Sequence, residues 1–166
     1  MAAALAALAL ALGAPADAPA GFARFEPLST RAARVSATTA TVFCARDSRS
    51  WAAFMARNGL GPIAAQIDGL TRIERGETFL HPRVCLPLRG WLAGRPVPLE
   101  RLADAIFTFT HESAHLTGIV NECAADRWAV GRLARVARTE FGIRDRDRLR
   151  ALVRLARASA GYVAAC

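Results

Sequence analysis

The sequence predicts an α+β domain in which a small antiparallel or mixed sheet sits beside a set of helices. Leu102, Ile106, Phe109 and Leu116 recur at three- and four-residue spacing, the period of a helix with one apolar face. From Ile63 to Leu88 the apolar residues are instead separated by the turn pairs Asp68-Gly69 and Arg75-Gly76, which suits short strands. A chain of 166 residues, 53% hydrophobic and 22% charged, is large enough for one compact core, so disordered and collagen-like classes are excluded.

Residues 1–20 read as a signal peptide or apolar leader. The Ala and Leu run from Ala2 to Leu12 is followed by Ala14-Pro15-Ala16 and Ala18-Pro19-Ala20, small residues where a signal peptidase needs them. Gly13 and Pro15 interrupt this stretch, and it falls short of the ~20 residues that span a bilayer, so no transmembrane span is expected. Residues 21–41 are small and polar and read as a flexible segment, leaving 42–166 as a single domain.

Within that domain Asp47 or Ser48 caps a short helix through Trp51, Phe54 and Met55, which Asn58-Gly59 ends. Two or three short strands then fit between Ile63 and Leu88, and Gly90 to Pro98 reads as a loop. Pro98-Leu99 opens the long helix, because proline costs nothing at a helix start. Glu122 to Glu140 and Asp147 to Ala160 supply two further C-terminal helices.

The net charge is +8, and all 22 basic residues are arginine. A compositional bias toward arginine accounts for part of this, and no aromatic interleaving suggests base stacking, so a nucleic-acid partner is not expected. Arg150, Arg154 and Arg157 share one helical face, which suits contact with an anionic cell envelope or a solvated surface. Cys44, Cys85, Cys123 and Cys166 are widely spaced and form no Cys-x-x-Cys pair. In an exported protein they make two disulfides in one of three connectivities, and in the cytoplasm, the alternative location, they are buried thiols.

The informative segment is His111-Glu112-Ser113-Ala114-His115, inside the long helix. At ~100° per residue the two histidines fall about 180° and 220° from Leu102, away from the apolar stripe and one turn apart. Two imidazoles so placed can reach one tetrahedral zinc ion, with Glu112 beside them to handle a proton. A hydrolytic zinc site takes a third protein ligand. In an unbroken helix Glu122 would sit about 10 Å from His115 along the axis, but Gly118 stops the helix and lets the chain swing Asn121-Glu122 back. Asn121 then caps the next helix, Glu122 is the third ligand, and Asp126, on the same face, accepts a ring N–H from a ligating histidine. As ordinary solvated carboxylates, Glu122 and Asp126 would pair with Arg127 or Arg132 instead. His81 is the alternative third ligand, or a transition-state donor, or a polar loop residue beside Pro82.

The segment resembles the zincin metallopeptidases, whose signature His111-Glu112-x-x-His115 matches. His111-Glu112-x-x-His115-x-x-Gly118 is similar to the extended metzincin motif, with Asn121 where those enzymes carry a third histidine. Asn121-Glu122-x-x-Ala125-Asp126 is similar to the third-ligand element of the thermolysin-like gluzincins, at a much shorter spacing. The resemblance covers residues 102 to 130 and implies a zincin-like domain in which both histidines bind zinc and the glutamate activates water for peptide hydrolysis. It also implies an upstream strand that offers its edge to a peptide or protein substrate, expected within Glu77 to Leu88. The competing expectation is a catalytically silent zincin-like protein that binds or builds in the cell envelope.

Overall fold

The structure is a computed structural model and describes residues 17–159. Most of the expected leader, together with Tyr162 and Cys166, lies outside the described residues. The elements in chain order are β1 (Phe22–Arg24), α1 (Glu26–Ser36), β2 (Thr41–Ala45), α2 (Ser48–Arg57), β3 (Gly69–Arg72), β4 (Glu77–Leu80), α3 (Pro82–Leu92), α4 (Leu99–Leu116), α5 (Glu122–Thr139) and α6 (Arg146–Ser159). The class is therefore α+β, and the sheet is mixed, with order β1-β2-β4-β3. β2 and β4 run parallel while β1 and β3 pair antiparallel on the outside, which makes β3 an edge strand.

The sheet is covered on both faces, and alternation along its central strands shows how. On β2, Val42 and Cys44 join the larger core built with α1, α3, α4, α5 and α6, whereas Phe43 and Ala45 join a smaller aromatic core with Trp51, Phe54 and Met55 of α2. On β4, Leu80 points into the first core and Phe79 into the second, stacked on Phe43 at 5.2 Å. The long helix α4 runs through the first core on Leu102, Ile106 and Phe109, which are at most 1% exposed. Full burial of each such side chain stabilises the fold by about 1.5–3 kcal/mol. No helix among the described residues is long and apolar enough to cross a membrane.

Asp47 accepts from the Ser50 N–H at 2.7 Å to start α2, and Asn58 with left-handed Gly59 ends it, as the sequence predicts. Pro98 opens α4, and the two C-terminal helices stand where expected. Arg150, Arg154 and Arg157 of α6 are all exposed.

Three expectations are corrected. Residues 21–41 are not a flexible segment, and the domain does not begin at 42. They form β1 and α1, with Leu28 and Ala32 buried and the Ser29 hydroxyl accepting from the Val42 N–H at 2.9 Å. The apolar face of α1 is made largely of alanine and leucine between serines and threonines, so it carries little contrast for a periodicity reading. Next, the strand within Glu77 to Leu88 is not an edge: Glu77–Leu80 lies inside the sheet, and Pro82 to Leu88 belong to α3. His81 caps that helix and Pro82 occupies its first turn, while the internal Pro87 and buried Gly90 disguise its helical period. Finally, the Gly90 to Pro98 loop is shorter than expected, because α3 continues to Leu92.

Cys44 on β2 and Cys85 on α3 form a disulfide with a Cα–Cα separation of 5.8 Å, pinning α3 against the sheet. Closing this 41-residue separation stabilises the fold by about 2–4 kcal/mol. No cysteine among the described residues is a free thiol.

Candidate metal centre

α4 ends at Leu116, Thr117 takes the C-cap, and Gly118 turns the chain with φ of 93°, a conformation that favours glycine. Asn121 then caps α5 by accepting from the Ala124 N–H at 2.9 Å. The reversal places the first turn of α5 against the last turn of α4, so Glu122 meets the two histidines. His111 Nε2 lies 3.0 Å from Glu122 Oε2 and 3.0 Å from His115 Nε2, and His115 Nε2 lies 3.6 Å from Glu122 Oε2.

The far sides of both rings decide their protonation. His111 Nδ1 is 2.7 Å from Asp126 Oδ1, and His115 Nδ1 is 2.6 Å from the Ile119 carbonyl oxygen. Both partners only accept, so each neutral ring carries its proton on Nδ1 and presents a bare Nε2. With both rings neutral, three acceptor atoms converge on one point, where a metal ion, or a proton taken up by one ring, offsets their mutual repulsion. Ligands about 2.0–2.1 Å from a tetrahedral ion stand about 3.3 Å apart, the size of this triangle. His111, His115 and Glu122 are accordingly the group that can hold a metal ion among the described residues. The histidines are mostly buried, whereas the Glu122 side chain is 65% exposed and opens the site to solvent. Asp126 is committed to His111 and Arg132 stacks over Trp128 at 4.2 Å, which differs from a simple surface pairing of these charges.

The chain matches no protein-family model, no curated protein and no solved structure.

Glu112 lies on the same helix but points toward β3, where the Thr71 hydroxyl donates to its Oε2 at 2.7 Å. Thr71 has one proton to give, so the Thr78 hydroxyl, 3.0 Å away, donates to Thr71 in turn. Burial pushes the Glu112 carboxyl above the ordinary glutamate range, with His111, the Thr71 hydrogen bond and His115 pulling the other way. Gly69 makes room for it: a Cβ there would stand 2.6 Å from Cδ and from Cγ of Glu112. Neither Gly69 nor Thr71 is visible as a site residue in the sequence, because each is about forty positions from the glutamate it touches and carries no motif of its own.

The three candidate ligands, Glu112, Gly69 and Thr71 border one cleft of about 1350 Å³, walled by β3, α4 and the start of α3. His81 also borders it but is not in the metal group. Its Nδ1 accepts from the Arg83 N–H at 3.1 Å as the α3 cap, and its ring packs edge-on against Trp51 at 5.5 Å. Burial and Arg83 lower its pKa, while Asp68, 4.0 Å away, opposes them. The folded chain therefore holds His81 neutral where the unfolded chain, with a pKa of about 6.5, takes up a proton. Stability is expected to be unaffected by this group above about pH 6.5 and to fall as the pH drops below it. His81→Asn keeps a capping oxygen without titrating, and should flatten this part of the stability profile in urea melts. An unchanged slope would remove His81 as its cause.

Proposed function

We propose that the chain is a zinc-dependent hydrolase of peptide bonds, with His111, His115 and Glu122 as zinc ligands and Glu112 as the general base. The convergence of two proton-free Nε2 atoms and one carboxylate oxygen, with a buried carboxyl beside them, carries the proposal. Two imidazoles and one carboxylate are a donor set that suits zinc and leaves a coordination position open. Zinc held there supplies Lewis acidity, polarising a carbonyl and acidifying water.

The chain's own residues supply the rest. Thr71 occupies Oε2 of Glu112, leaving Oε1 to take the proton from the attacking water and pass it to the leaving amine. Asp126 and the Ile119 carbonyl hold the two imidazoles in the tautomer that binds metal. β3 is suited to hold an extended substrate. The bond from the His81 N–H to the Asp68 carbonyl sets the ladder alternation, so Gly69 and Thr71 direct their main-chain groups away from β4, to the side where no strand pairs. An exported protein fits the buried Cys44–Cys85 disulfide, and the exposed Arg150, Arg154 and Arg157 face would meet anionic envelope polymers.

The direct test is elemental analysis of chain purified without chelator, followed by hydrolysis of a fluorescently labelled, denatured protein. One zinc per chain and chelator-sensitive cleavage are expected. A metal-free chain overturns the proposal, and bound zinc without cleavage leaves the silent binding protein.

Gly69→Ala offers a finer test. The added methyl forces Glu112 off Thr71 or pushes β3 outward, so cleavage should fall ~10- to 100-fold while zinc content stays unchanged. Unaltered rates would show that the seat of Glu112 is irrelevant to the chemistry.

A further inference from the structure

Ile63, Leu86 and Val120 are the exposed large hydrophobic residues among those described, at 40%, 59% and 75% exposure, and all three border the cleft that holds His111, Glu112 and His115. They come from a 3-10 turn after α2, from α3 and from the α4 to α5 turn, so chain proximity does not explain their gathering on one rim. Apolar side chains scattered singly over a surface need no explanation, but a set confined to the border of one cleft marks a binding surface. Val120 stands two residues before Glu122, so the apolar rim reaches the metal group itself.

The charges along the cleft narrow the occupant further. Away from the metal group, Asp68 is paired with Arg83, and Arg101 and Asp104 stand one turn apart on the same face of α4. These opposite charges balance along the wall, so an acidic or a basic side chain gains nothing from it. Arg101 lies ten residues before His111, about 15 Å along the helix, which is room for about four or five residues of extended chain.

We infer that the cleft takes an extended, uncharged peptide segment whose large aliphatic or aromatic side chains seat on Leu86, Ile63 and Val120. The substrate class is therefore an apolar segment of a protein that is unfolded or presents it as an exposed strand. This rests on the hydrolysis proposed above only for the cutting of the segment; its binding stands apart from that.

Binding is measured by fluorescence anisotropy on the zinc-loaded chain and on Glu112→Gln. The probes are labelled, end-blocked peptides of about six residues: Ser-Leu-Phe-Leu-Val-Ser, and versions with the inner residues replaced by serine or by glutamate. The apolar peptide is expected to bind at least about tenfold more tightly than either, and Leu86→Ser and Val120→Ser each to weaken it at least about fivefold. Both positions are exposed, so both variants should retain the parent's circular dichroism. Equal binding of the three peptides, or undiminished binding by both variants, overturns the inference. Preferential binding without cleavage by the unaltered chain supports it and removes the hydrolysis reading alone. Cleavage of polar and apolar peptides at equal rates removes the inference alone.

Discussion

His115→Ala is expected to abolish stoichiometric zinc binding. Among the described residues three ligand atoms converge at the candidate centre, and this substitution removes one that is buried and already held in its metal-binding tautomer by the Ile119 carbonyl at 2.6 Å. A zinc affinity loss well beyond ~100-fold should follow, larger than for any residue that only orients a ligand. Asp126→Asn supplies that comparison. It leaves the three ligand atoms in place but weakens the partner of His111 Nδ1, and is expected to cost ~10- to 100-fold in affinity. Glu122→Ala should resemble His115→Ala more than Asp126→Asn, since Glu122 contributes an oxygen to the triangle itself. Zinc titration against a chromogenic chelator, with circular dichroism to establish that each variant is folded, ranks the three. If folded His115→Ala retains one tightly bound zinc, the ligand assignment is wrong.

Glu112→Gln separates catalysis from metal binding. The carboxyl is buried, accepts from Thr71 and lies outside the His111, His115 and Glu122 group, so glutamine can keep the Thr71 hydrogen bond through its amide oxygen and leave zinc binding intact. It cannot take a proton from water. Cleavage should fall by ~10²- to 10⁴-fold, the contribution of a positioned general base. Stability should move the other way. Burial disfavours the charged form of Glu112, so a neutral isostere is expected to raise the melting temperature at neutral pH. A lower rate with zinc retained and a raised melting temperature is the signature of a strained functional carboxylate. Full activity in this variant would exclude Glu112 as the base.

Local sequence determined the segment that brings the candidate ligands together. The apolar period of α4, the stop at Gly118, the cap at Asn121 and the four-residue spacing of Glu122 and Asp126 all act within about a dozen residues. Such features depend on backbone geometry and side-chain type alone, which is why the approach of Glu122 and Asp126 to the histidines could be anticipated before the fold was known. The α+β class and the positions of α2, α4, α5 and α6 are legible for the same reason. α1 and α3 were not, because alanine, serine and proline blur the contrast between their buried and exposed faces.

Tertiary structure decided everything that joins distant parts of the chain. Which strand is the edge depends on β2 and β4 pairing in parallel across the intervening α2 and β3. The seat of Glu112 on Gly69 and Thr71, the Cys44–Cys85 pairing and the gathering of Ile63, Leu86 and Val120 on one rim have the same origin. None of these has a local signal, because each residue would be equally at home on a surface or in a core. Only the burial of both sheet faces, which satisfies two hydrophobic cores at once, brings these partners within reach of one another.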